Sequence, residues 1–174
     1  MQAWGNKKYC FEINLIFVSL TCFYLHGNPG SGKTLLMDLI SKVILPKKLM
    51  RIHFHEFMIK THNSLHELRA KNYSKDDLIS SYAKMIQLET DVIFFDEFQV
   101  TNIVDAMILG NLFKKIFEKN IKVIFSSNIK INDLYKDGLQ RDQFIPFIKI
   151  SGINTATRTT VVAIIAKDTC LAPL

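Results

Sequence analysis

Cysteine is scarce in this 174-residue chain: Cys10, Cys22 and Cys170 are the three present, and no two have metal-ligand spacing. That excludes a zinc ribbon and a disulfide-stapled scaffold, and it points to reduced thiols in a reducing, cytoplasmic setting. Cys22 is expected to pack as a small apolar residue in a strand. No HExxH pattern occurs, since His55-Glu56 and His66-Glu67 lack a second histidine at the required offset. Nor is there an apolar run of the roughly 20 residues a membrane-spanning helix needs. The longest, INLIFVSLTCFYL at 13–25, follows Lys7 and Lys8 as a signal peptide's core would. Cleavage just beyond it would cut at or near a glycine-rich loop, so its second half reads as the first core strand. Neither sign of charge dominates: 22 basic and 16 acidic residues leave +6, scattered along the chain. The basic residues do not alternate with aromatic ones as in an RNA-binding sheet, so nucleic acid is not an expected partner. No internal repeat or low-complexity segment stands out. What remains is one domain's length of chain, 48% apolar, enough to bury a core.

Within it stands GNPGSGKT at 27–34, after the strand-like TCFYLH and before the helix-like LLMDLI. The spacing fits G-x-x-x-x-G-K-[ST], with Gly27, Gly32, Lys33 and Thr34 at the fixed positions and Asn28, Pro29, Gly30 and Ser31 between them. Glycines let the backbone take positive φ and bring its N–H groups close to a ligand. Those groups and the following helix N-terminus make a site for phosphate oxygens. Lys33 is suited to the β- and γ-phosphates of a nucleotide and Thr34 to Mg²⁺. A glycine-rich turn serving only to join strand and helix would not require Lys-Thr there.

Strand and helix patterns alternate onward. A strand at 20–26 leads through the loop to a helix at about 33–44, before Pro46. RIHFH at 51–55 reads as a strand with His53 and His55 on one face. EFMIKTHNSLHEL at 56–68 is amphipathic, with Phe57, Ile59, His62, Leu65 and Leu68 near helical spacing. Ser74 is placed to cap a helix reaching about Gln87, with Asp77 three residues on. TDVIFFDEF at 90–98 is a buried strand ending in acids. Asn102 is placed to cap a long helix whose Ile103, Met107, Gly110, Phe113 and Phe117 form one stripe. IKVIFSSN at 121–128 is a further strand, INDLYKDG a short helix closed by Gly138, and TTVVAIIA at 159–166 a last strand. Strands apolar on both faces and separated by helices predict an α/β, three-layer fold with a mostly parallel sheet.

Chemistry-bearing residues fall at strand ends, where open α/β sheets bind ligands. Asp96 fits an acid that holds Mg²⁺ through water beside the phosphate loop. Glu97 fits a general base that polarises the attacking water. Asn128, closing FSSN, carries an amide able to bond a γ-phosphate and that water, or it serves only as a polar turn. Arg141 in GLQRD is suited to developing charge on a transferred phosphoryl group, supplied to a neighbouring subunit, or to a surface ion pair with Asp142 or Asp137. For His53 and His55, packing or hydrogen bonding is expected before metal binding. His62 and His66, four apart on a helix, lack a third ligand.

LHGNPGSGKTLLMDLI, RIHFHEFM with HELRA after it, DVIFFDEFQVTNIVDAMIL and SSNIKINDLYKDGLQRDQFIPFI together resemble the AFG-type (ZapE-like) AAA+ P-loop ATPases. DEFQVT-x-I-x-DAMIL and DLY-x-x-GLQR-x-x-F-x-PFI are far more specific than the loop, and the resemblance covers about residues 20–149. The strand between loop and acids in the sequence also resembles the ATPase branch of P-loop proteins. The resemblance implies an ATP- and Mg²⁺-dependent, homo-oligomeric ATPase that remodels or displaces a protein partner in cell division or protein quality control, with peripheral membrane association as a further implication. By position it implies phosphate binding by Gly27 to Thr34, magnesium and water at Asp96 and Glu97, a sensor at Asn128 and an arginine finger at Arg141. The expected organisation is an unassigned segment at 1–18, an AAA+ core at 19–150 without the helical lid, and an atypical tail at 151–174, either a last strand or the product of truncation or a frameshift. The alternative is a nucleotide-binding interaction module with little turnover.

Overall fold

The computed structural model describes residues 21–43, 48–71, 73–151 and 155–157. Its elements run β1 (Cys22–His26), α1 (Lys33–Val43), β2 (Leu49–His53), α2 (Phe54–Ala70), α3 (Lys75–Glu89), β3 (Val92–Asp96), α4 (Ile103–Glu118), β4 (Lys122–Ser127), α5 (Ile145–Ser151) and β5 (Thr155–Thr157), with 3₁₀ turns at Ile131–Asp133 and Arg141–Gln143. The strands form one sheet in the order β2-β3-β4-β1-β5, and every pairing is parallel. The predicted α/β architecture with a parallel sheet is therefore the fold.

Side-chain alternation divides the core between the two faces of the sheet. Phe23 and Leu25 of β1, Val92 and Phe94 of β3 and Ile124 of β4 pack with Leu36, Met37 and Ile40 of α1. Their neighbours Cys22, Tyr24, Ile93, Phe95, Val123 and Phe125 face the other way, onto α2, α3, α4 and α5. That second cluster is rich in aromatics. Phe125 lies 5.4 Å from Phe95 in a stacked pair and 4.5 Å from Phe98, and Phe113 and Phe147 complete its surroundings. Such ring pairs add to what area burial contributes.

Two expected caps are present. Ser74 Oγ accepts from the Asp77 amide at the start of α3, and Asn102 Oδ1 accepts from the Val104 amide at 2.8 Å at the start of α4. Each satisfies one of the N–H groups that a helix start leaves orphaned.

Several local expectations are corrected. β2 is Leu49–His53, and α2 begins at Phe54, so His55 belongs to a helix and does not share a strand face with His53. In the sheet β4 separates β1 from β3, as the likeness to the ATPase branch implies, and β2 lies at the edge. On α4 the buried stripe is Ala106, Leu109, Leu112, Phe113 and Ile116, whereas Met107 is largely exposed. Ile59 of α2 is exposed too. In INDLYKDG the helix is only the 3₁₀ turn at Ile131–Asp133. Gly138 sits there against the Tyr135 ring, which a Cβ would strike at 2.1 Å. The strand expected at 159–166 lies outside the described residues.

Phe125→Ala should cost about 3–5 kcal/mol in urea unfolding, the range for removing a fully buried ring. Asn102→Ala, which removes only a cap, should cost about 1 kcal/mol.

Candidate nucleotide site

The parallel sheet places the carboxyl ends of β1, β3 and β4 along one edge, where the chain leaves for the glycine loop, for Glu97 and for Asn128. A short set of bonds ties these exits together. The Gly27 amide donates to the Ser127 carbonyl at 3.2 Å, and the Phe98 amide donates to the Ser126 carbonyl at 2.7 Å. Ser127 Oγ, buried, donates to the Phe98 carbonyl at 2.6 Å and accepts from the Ile129 amide at 3.1 Å. Tyr24 Oη donates to the Ile129 carbonyl at 2.8 Å, and burial holds its phenol well above the ordinary tyrosine range. Asn128 is thereby held between two anchored neighbours.

The loop after β1 has the shape its sequence predicts. Gly30 and Gly32 take φ of 74° and 82°, a region L side chains rarely enter. A Cβ on Gly27 would lie 2.8 Å from Ser31 Oγ, so that position has room only for glycine unless the hydroxyl moves. Ser31 Oγ is itself buried with no hydrogen-bond partner. The first turn of α1 carries no acidic residue, which leaves the positive end of its dipole free for an anion. Lys33 Nζ donates to the carbonyls of Gly27 at 2.7 Å and Asn28 at 3.0 Å, folding the ammonium back over the loop. Desolvation lowers its pKa from the usual lysine value. Thr34 is exposed in the same turn. An unsatisfied hydroxyl, a glycine cradle and a lysine on loop carbonyls fit a phosphate-bearing ligand.

Asp96 ends β3 on the α1 side of the sheet, in register with His53. Its carboxylate is engaged by Arg51, whose Nε donates to Oδ2 at 2.7 Å. The same guanidinium pairs through Nη1 with Asp38 of α1. A carboxylate that takes a cation here fits a magnesium acid, and Thr34 and Asp96 are the side chains that would hold the ion. Arg51 and Asp38 were not singled out from the sequence. The available signal was an arginine inside a short strand, two residues before the one paired with the acid.

Glu97 adopts φ of 54°, a sparsely populated conformation for a residue with a side chain, and is exposed. Strain of this kind concentrates at functional sites. Glu97 and Asn128 meet around one cleft of about 320 Å³, together with His53, His55, Gln99 and Asp105. His62 Nε2 reaches Asp105 Oδ1 at 2.7 Å behind it. Among the described residues no group of three or more His, Cys, Asp or Glu has the arrangement of a metal centre. Arg141 lies outside this cleft: its Nη2 donates to the Asn132 carbonyl, and its Nε is buried without a partner. Neither Asp137 nor Asp142 forms an ion pair with it.

Removing the Ser127 hydroxyl leaves a buried carbonyl and a part-buried amide unpaired. Ser127→Ala should lower stability by about 1–3 kcal/mol in urea unfolding. Amide hydrogen exchange at Ile129 should also accelerate, locating the loss at the turn carrying Asn128.

Comparison with known proteins gives the family and the fold. The profile of the family described as AFG1-like ATPase matches residues 7–169, extending beyond the 20–149 covered by the quoted motifs. The chain is 42% identical over 147 residues to cell division protein ZapE of Escherichia coli K12, covering 84% of this chain and 37% of that protein. It is 42% identical over 135 residues to lactation elevated protein 1 homolog B of Danio rerio, covering 74% and 27%. The chain thus spans about a third of the length of these curated relatives. Among solved structures, domain III of the replication initiation protein DnaA from Thermotoga maritima matches all of this chain and 73% of its own, with a TM-score of 0.61 at 15% identity, a likeness of fold. No helix among the described residues is long and apolar enough to cross a membrane. A P-loop core of AAA+ type, matched by the family profile over most of its length, makes this chain a member of the AFG1-like ATPase family.

Proposed function

We propose that this chain binds ATP with Mg²⁺ and hydrolyses it, with residues 19–150 as the ATPase core. The observation that carries the reading is that the glycine loop, Asp96, Glu97 and Asn128 leave one sheet edge, the loop tied to Ser127 through Gly27 and Glu97 and Asn128 lining one cleft. The loop N–H groups and Lys33 bind the phosphates, for which Lys33 exchanges its two carbonyl partners for phosphate oxygens. Thr34 and Asp96 would hold Mg²⁺, which would supply positive charge against the charge developing on the phosphates. Glu97 takes the proton of the attacking water as its oxygen bonds to the γ-phosphorus and the bond to the β–γ bridging oxygen breaks. Asn128 orients that water and the γ-phosphate. Arg141, which does not line its own chain's cleft, acts on a neighbouring subunit's nucleotide, so homo-oligomerisation is part of the reading.

The work done with ATP is remodelling or displacement of a protein partner. Support for a division or quality-control role is the similarity to a bacterial cell division protein. A cytoplasmic setting, with peripheral membrane association as the family likeness implies, is part of the reading.

Steady-state ATP hydrolysis over a range of protein concentrations tests the central claim. Turnover should rise more than linearly with concentration, and Glu97→Gln should lower it by about a hundredfold or more. Bound ATP without turnover in either protein would instead make the chain a nucleotide-binding module. Lys33→Ala should weaken ATP binding by roughly tenfold or more in calorimetry. Arg141→Ala should keep ATP binding and lose turnover, and mixing it with Glu97→Gln should restore part of the activity. Failure of that complementation would exclude a finger acting between subunits.

A further inference from the structure

Arg51 has no assigned role, yet its side chain bridges α1 and the acid end of β3. It stands on β2 opposite Phe94, which puts it on the same face as Asp96 two residues on. Its Nε donates to Asp96 Oδ2 at 2.7 Å, and its Nη2 lies 3.4 Å from Asp96 Oδ1. Its Nη1 pairs with Asp38 Oδ1, one helical turn beyond Thr34. The Arg51 and Asp96 side chains are only 28% and 15% exposed, so solvent screens this pair less than a surface one. A cation and an acid in this setting do not ignore a second, divalent cation arriving at the same carboxylate.

We infer that Arg51 is an internal cation on Asp96, and that it competes with a nucleotide's divalent metal for that carboxylate. Asp38 makes the exchange possible. A guanidinium shared by two carboxylates can release Asp96 and stay paired with Asp38, so no buried charge is left alone. Asp38 and Arg51 together therefore set how readily metal enters. Removing the arginine charge favours the metal, and removing Asp38 confines the arginine to Asp96 and disfavours it. This inference rests on the reading of Asp96 as the magnesium acid.

The experiment measures Mn²⁺ affinity of the full chain with ADP bound, from the electron paramagnetic resonance signal of free Mn²⁺. Arg51→Gln should tighten Mn²⁺ binding by roughly threefold or more, and Asp38→Asn should weaken it by a similar factor. Arg51→Lys, which keeps the charge, should stay closer to wild type than Arg51→Gln. A residue that merely props Asp96 in place would give the opposite sign for Arg51→Gln, and weaker Mn²⁺ binding in that variant overturns the proposal. So does unchanged affinity in both Arg51→Gln and Asp38→Asn. Should Arg51→Gln fail to fold, the sign of the Asp38→Asn effect decides alone. Asp96→Asn separates the two claims. Mn²⁺ binding that survives it would remove the magnesium-acid reading. Binding lost there, but unmoved by Asp38 and Arg51, would remove only the competition.

Discussion

The hydroxyl of Ser127 is the constraint on which the site depends. It is buried at the end of the central strand β4 and satisfies two backbone groups at once, the Phe98 carbonyl and the Ile129 amide. The carbonyl of the same residue receives the amide of Gly27, the first residue of the phosphate loop. Three segments far apart in sequence thus share one residue. An alternative arrangement would strand polar groups away from water, and the cost of doing so holds the geometry more firmly than any single bond would suggest.

Around that hub the charges compensate one another before a ligand arrives. Lys33 lies on loop carbonyls, and Asp96 and Asp38 share Arg51. Lys33 and Asp96 each have a partner that a ligand group of the same sign could replace. A phosphate can replace carbonyls as acceptor for the lysine, and a metal can replace the guanidinium on the acid. Under the proposed reading, an anion carrying a divalent cation would meet no lysine or carboxylate that must first be desolvated alone. Ser31 Oγ, buried and unpaired, is the exception, and it faces the loop that would close on phosphate.

The other side of the site is built differently. Glu97 is held in a strained backbone conformation directly after the buried strand, with Phe98 buried next to it among Tyr24, Phe54, Phe125 and Phe147. Packing of the Phe98 ring fixes where the chain turns, and Glu97 is left facing the cleft opposite Asn128. Rigid aromatic packing behind and an exposed acid in front is how a fold can hold an uncomfortable backbone without losing it.

The order of strands and helices, the phosphate loop, the two acids and the strand-end amide were all legible from residues 20 to 128. Each depends on a local signal: apolar runs with defined ends, glycines where φ must be positive, or a capping side chain such as Asn102. What failed to show in the sequence was long-range. The start of α2 at Phe54 moved His55 off the strand, and Met107 gave way to Leu109 and Leu112 on the buried face of α4, because packing against the sheet, not periodicity alone, chooses a helix's inner face. The sequence by itself determined the family and the parallel α/β architecture. Only the tertiary structure decided that β4 stands between the two motif strands, that Arg51 joins Asp38 to Asp96, and that Arg141 does not line its own cleft. Sheet order and cross-strand partners arise from which surfaces bury together, and that information is spread over the whole chain and written in no single segment.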